Sequence, residues 1–159
     1  MAGDIKAKLG ANNQPITITL NALADDGARE SEAINFAGNF LDVLIQLLIE
    51  SNGVPAGDCN CLVYAYGTAN GGTTYSGGAT GIDAAYGAVA GQLITNCQFM
   101  GIVAVDADAE VFESNVFSLA SAFGGVVPEK GGIIVVNQVG QALDVGCDAF
   151  YQGIYGQYT

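Results

Sequence analysis

"FLDVLIQLLIES", residues 40–51, can be read as a helix or as a strand, and the choice decides the fold class. Asp42, Gln46 and Glu50 recur at every fourth position, as on the polar stripe of an amphipathic helix. Against this, Leu41, Val43, Ile45, Leu47 and Ile49 are apolar at every second position, which is the strand period. The rest of the chain tips the reading to strand. "PITITLNAL" (15–23) sets Ile16, Ile18 and Leu20 against Thr17, Thr19 and Asn21, the alternation of a half-buried strand. "CNCLVYAYGTA" (59–69) places Leu62, Tyr64 and Tyr66 on one face and Cys61, Val63 and Ala65 on the other.

Further strands are expected in "QLITNCQFMGIVAV" (92–105), "VFSLASAF" (116–123), "GGIIVVNQV" (131–139) and "DAFYQGIYGQYT" (148–159). "FSLASAF" also suits one helical turn before the Gly124-Gly125 break. "ADDGARESEAINFAGN" (24–39) is a polar connection with room for a short strand. With 159 residues, 23 glycines and only 13% charged residues, the composition also favours β-structure with tight turns. The predicted fold is all-β, an antiparallel β-sandwich or jelly-roll-like single domain over 15–159, preceded by an N-terminal arm, 1–14.

Charge and residue inventory exclude several function classes. The net charge is −12, and the cations are Lys6, Lys8, Arg29 and Lys130. No basic patch can neutralise phosphates, so neither nucleic acid nor an anionic membrane is an expected partner. With no histidine, the chain has no Ser-His-Asp or Cys-His arrangement and no histidine metal site. No stretch reads as a secretory signal or as an apolar span long enough for a bilayer, and a cytoplasmic site of synthesis is expected. No enzyme, cofactor or metal is predicted.

Cys59, Cys61, Cys97 and Cys147 admit three readings: buried small hydrophobes, one or two disulfides, or a four-thiolate zinc site. Cys59 and Cys61 would point the same way in a strand, so each would have to pair elsewhere. The acids Asp106, Asp108 and Glu110 alternate in "VDADAEVFES". They lack the glycine and glutamate positions of a calcium-binding helix–loop–helix, so a solvated loop or strand face is expected. Glu129 and Lys130 read as an exposed turn after Pro128.

"YGTANGGTTYSGGATG" (66–81) invites a phosphate-loop reading, which its chemistry rejects. A Walker loop needs Lys-Ser or Lys-Thr after its last glycine, whereas Gly81 precedes Ile82 and Asp83. Asn70-Gly71 is instead the favoured dipeptide of a two-residue hairpin, with Thr73, Thr74 and Tyr75 on the return and a loose loop at Gly77, Gly78 and Gly81.

Several segments together resemble small virion structural proteins of tailed bacteriophages. They are "VYAYGTANGGTTYSGGATGIDAAYG", "FSLASAFGGVVPEKGGIIVVNQVGQAL", whose Ala122, Phe123, Gly124, Gly125, Val126, Pro128 and Lys130 form the hairpin motif, and "YQGIYGQY" with Tyr151, Gln152 and Gly153. The resemblance implies a virion component of the capsid cement or decoration type. Its implied partners are the major capsid protein, copies of itself, or both, and it would be oligomeric on the particle. A tail or baseplate component and a carbohydrate-binding β-sandwich are the alternatives. Tyrosines suit interfaces, having an apolar body and a polar tip, and Tyr64, Tyr66, Tyr75, Tyr155 and Tyr158 are the candidate interface residues. Tyr86 and Tyr151 complete the set of tyrosines.

Overall fold

The computed structural model describes residues 5–38, 40–87 and 94–158. Its architecture is the expected antiparallel sandwich, built of two six-stranded sheets. The first sheet centres on β5 (Phe40–Glu50) and β12 (Asp148–Tyr158), which pair from Leu48↔Asp148 to Phe40↔Tyr155. On the far side of β12 lie β1 (Ile5–Leu9) and β2 (Gln14–Pro15), and on the far side of β5 lie β9 (Val111–Glu113) and β10 (Phe117–Ser118). The second sheet centres on β6 (Asn60–Thr68) and β11 (Lys130–Gln138), which pair over the whole length of β6. It is completed by β8 (Gln98–Ala104) beside β6, by β3 (Ala28–Glu30) and β4 (Ile34–Asn35) beside β11, and by β7 (Ala84–Ala85) beside β3. The ribbon β5–β6 therefore lies alongside the ribbon β11–β12, one strand of each in either sheet, as in a jelly roll.

The ambiguous stretch at 40–51 is a strand because its period-2 apolar set has a core to enter. Val43, Ile45, Leu47 and Ile49 are all at most 1% exposed, and they meet Cys61, Val63 and Ala65 of β6 and Ile133 and Val135 of β11. Each such side chain contributes about 1.5–3 kcal/mol by leaving water. The fourfold polar stripe of Asp42, Gln46 and Glu50 falls on the opposite face, where Leu44 and Leu48 are half-buried beside them.

The structure corrects four local expectations. Residues 16–20 keep the predicted alternation, with Ile16 and Leu20 buried and Thr17 and Thr19 exposed, but they form no strand. Their backbone bonds are scattered: Ile16 N–H to Ala149 O, Thr17 O from Glu32 N–H, Thr19 N–H to the Asp83 carboxylate, and Leu20 O from Leu23 N–H. The segment crosses from one sheet to the other, so no single neighbour can ladder with it. The Ala122–Lys130 motif is likewise no hairpin. Ser118 accepts from the Ser121 N–H to cap a helical turn at Leu119–Ala122, and the chain then passes from β10 in the first sheet to β11 in the second.

Asn70-Gly71 does turn the chain, yet β6 does not return as a hairpin. Asn70 acts through its side chain, whose Oδ1 accepts from the Thr73 and Thr74 N–H groups, while Gly71 and Gly72 take the positive φ values of 73° and 88°. Glu129 and Lys130 clasp this turn: the Gly71 N–H donates to Glu129 Oε2 and the Lys130 ammonium to Gly71 O. They are therefore more than an exposed turn. Fourth, the stretch at Gly77–Gly81 is no loose loop. Gly77 is buried, Ser76 Oγ accepts from the Gly67 N–H, and the Thr80 N–H and hydroxyl both donate to the buried Glu30 carboxylate. Residues 69–87 form a strap over the outside of the second sheet.

The strap closes a second, smaller core of Tyr66, Ala79, Tyr86, Cys97 and Ile134. Its far end is pinned by Asp83, which accepts from Arg29 Nε at 2.7 Å and from the Thr19 hydroxyl at 2.5 Å. Partial burial alone would raise the Asp83 carboxyl, but the hydrogen bonds from Arg29 and Thr19 outweigh it and hold it below the usual carboxylate range. Of the predicted arm at 1–14, residues 1–4 lie outside the described residues. The remainder is joined to the first sheet by β1, which pairs with β12 from Ile5↔Tyr158 to Leu9↔Ile154 while all five of its side chains stay exposed.

Candidate functional site

The sandwich has one outer face that carries a strap and one that does not, and exposed apolar groups remain on both. On the second sheet the strap leaves Leu62 and Tyr64 of β6 beside β8. There Leu62 pairs with Ile102 and Tyr64 with Phe99, the two rings standing edge to face at 5.3 Å. Phe99 is 54% and Ile102 50% exposed. On the first sheet, Leu9 pairs with Ile154, and a side chain at Gly156 would touch both Ile5 and Leu41 at 3.7 Å, so these residues share one outward patch. Ile5, Leu9 and Leu41 are 61%, 59% and 49% exposed. Solvent-exposed aliphatics scattered singly need no explanation, but contiguous sets on strand faces mark contact surfaces.

The candidate tyrosines separate into different roles. Tyr64 belongs to the outer patch just described. Tyr66 is fully buried and donates to Ser31 O at 2.6 Å, so its ring is withdrawn from any outer surface. It faces outward from β6 as alternation predicts, but the strap covers it. Tyr75 is half-buried on the strap and packs edge to face on Tyr66. Tyr155 is half-buried against Phe40, with ring centres 4.5 Å apart. The side chain of Tyr158 lies outside the described residues, although its backbone pairs with Ile5. Tyr86 is buried with its hydroxyl on Gly77 O, and Tyr151 packs on Phe36 inside the main core. Burial pushes the Tyr66 and Tyr86 hydroxyls well above their ordinary range, which makes both structural donors.

The four cysteines are free thiols here. Cys61 lies wholly within the main core, and burial, with the neighbouring Cys147 second, pushes its thiol up to about 12. Cys97 sits under the strap and Cys147 between Glu50 and the core, and burial raises both. Cys59 stands in the connection before β6 at φ 53°. Asp106, Asp108 and Glu110 are exposed on the β8–β9 connection. Among the described residues no three metal-ligating side chains converge.

Sequence reasoning missed most of the apolar patch residues. Phe99 and Ile102 lie within a predicted strand, but nothing local says which face stays bare. Ile5 and Leu9 on β1 and Leu41 on β5 are far apart in the chain and lie on either side of β12, and only the β1–β12–β5 pairing brings them together. Comparison with protein-family models, with curated proteins and with solved structures gives no match to this chain.

Proposed function

We propose that this chain is a non-catalytic structural protein that bridges neighbours in an assembly, and that the assembly is a phage capsid lattice. The observation that carries the reading is the pair of apolar patches on opposite outer faces, Leu62–Tyr64–Phe99–Ile102 on one and Ile5–Leu9–Leu41–Ile154 on the other. A cross-linking protein needs two contact surfaces, and a sandwich holds them about 10 Å apart plus side chains, in a rigid relation. The small fraction of charged residues agrees with contacts made by shape and apolar burial. The capsid assignment within this reading rests on the sequence resemblance, and the partner would be the major capsid protein, further copies of this chain, or both.

Cryo-electron microscopy of the particle that contains this chain tests it. The expected result is a copy number that follows the capsid lattice, with both patches covered by different neighbours. Density confined to one vertex at low copy number would assign the chain to the tail or baseplate instead. Phe99→Asp and Leu41→Asp variants should each detach the protein from the lattice while leaving its fold intact, since both side chains are about half exposed.

A further inference from the structure

We propose that a groove on the outer face of the first sheet binds a neutral sugar unit. Its floor is a checkerboard set by the β5–β12 register: Phe150 opposite Gln46, and Gln152 opposite Leu44. One wall is Asn12 and Asn13, the other Val116 ahead of β10. The Asn wall exists because the chain spends more residues than β12 between two pairings. Leu9 pairs with Ile154 and Gln14 with Tyr151, so residues 10–13 bulge outward, and Asn13 takes the left-handed φ of 48° that asparagine tolerates. The groove encloses about 320 Å³, at the lower end of the roughly 300–1,000 Å³ of small-molecule sites.

The lining chemistry selects the ligand class. Four carboxamides, Asn12, Asn13, Gln46 and Gln152, converge around one aromatic ring, and no charged side chain lines the groove of a protein whose net charge is −12. A cation would need carboxylates and an anion would need Lys or Arg. A wholly apolar ligand would strip water from the amides without replacing their hydrogen bonds. Sugar hydroxyls both donate and accept, as carboxamides do, and the C–H face of a pyranose suits an aromatic ring.

The amides are held by one half and offered by the other. Gln152 Nε2 donates to Gly10 O at 3.1 Å and to Asn12 Oδ1, which leaves Gln152 Oε1 and Asn12 Nδ2 for a ligand. Gln46 Nε2 donates weakly to Ser114 O at 3.4 Å, which leaves its Oε1. Fixing the amides beforehand reduces the ordering cost on binding. This inference does not depend on the capsid reading, because the groove lies at Phe150–Gln152 and the apolar patch further along β12, from Ile154.

The test is a two-dimensional ¹H–¹⁵N titration of the full chain, in which the side-chain amides of Asn12, Asn13, Gln46 and Gln152 report directly. The probes are neutral oligosaccharides of glucose, galactose, mannose and N-acetylglucosamine, with a sialylated and a sulfated oligosaccharide as charged controls. At least one neutral probe should shift those amide signals saturably, with a Kd of about 1 mM or tighter. Phe150→Ala should weaken it at least about tenfold. Gln46→Ala, which removes an outward amide and no core contact, should weaken it as well if Phe150→Ala disturbs the fold. Ile102→Ala on the opposite face, half exposed and outside the groove's lining, should leave it unchanged. Failure of every neutral probe to shift the four amides overturns the proposal. So does equal binding of the charged controls, or wild-type affinity in the folded Gln46→Ala variant.

Discussion

Tyr66 shows how much a single outward-facing side chain depends on what covers it. Its hydroxyl reaches Ser31 O, and its ring supports Tyr75 of the strap. The space it occupies is made by Gly132 on the neighbouring strand, where any β-carbon would run into the Ser31 hydroxyl and the Tyr66 hydroxyl. Tyr66→Phe keeps the ring but leaves Ser31 O without that donor, and should cost about 1–2 kcal/mol in urea unfolding. Gly132→Ala acts through the same contact by overpacking and should cost about 1–3 kcal/mol. If both variants unfold at the wild-type midpoint, the buried hydroxyl carries none of the weight given to it.

At the scale of elements, the strap at 69–87 is held by polar side chains, where the main core is held by apolar ones. Glu30 is 2% exposed and its carboxylate takes two donors from Thr80. Glu30→Gln puts an NH₂ where an acceptor is needed, and should loosen the strap by about 1–3 kcal/mol. Faster hydrogen exchange at Thr80, with β5 and β12 unaffected, is the expected signature. The Asp83 anchor adds a pH dependence. Its carboxyl is depressed in the folded state, so its contribution is complete above the ordinary carboxylate value of about 3.9 and is lost as pH falls through the lower folded value. Exchange at the strap should therefore accelerate below about pH 4 relative to the main core, and Asp83→Asn should remove that difference.

This division also explains what was legible in the sequence. β5 buries one face, and its alternation is visible residue by residue. β6 alternates as far as Ala65, while β11 is buried on both faces from Gly131 to Val135, with Ile133 and Val135 in the main core and Ile134 under the strap. The strap has no such pattern, because Thr80 and Asp83 answer to Glu30, Arg29 and Thr19, which lie 50 or more positions away. Asn70-Gly71 has the composition of a hairpin turn, but β11 takes one edge of β6 over its whole length and β8 takes the other from Asn60 to Ala65. That leaves only Tyr66–Thr68, where the Gly67 N–H goes to Ser76 Oγ instead of to a returning strand. The outer patches and the amide groove were hidden for the same reason. Each is assembled by register between strands far apart in the chain, as with Leu9, Leu41 and Ile154.

At the scale of the whole molecule, charge opposes folding and association alike. Sixteen acids face four bases. Arg29 makes the one salt bridge among the described residues, with Asp83, and Lys130 is spent on Gly71 O, which leaves Lys6 and Lys8 together on the edge strand β1. Repulsion among the remaining acids destabilises the compact state, and salt screens it over about 8 Å at physiological ionic strength. Raising sodium chloride from about 10 to about 150 mM should therefore raise Tm in calorimetry, where a protein held by ion pairs would show a fall. The same repulsion keeps free copies apart while their apolar patches stay exposed. Self-association followed by sedimentation should be weak at low salt and should strengthen as salt is added, because the contact is apolar and the barrier is electrostatic. Association that weakens with salt would instead place Lys6 and Lys8 against a neighbour's acids, and would make the β1 edge the contact in place of the patches.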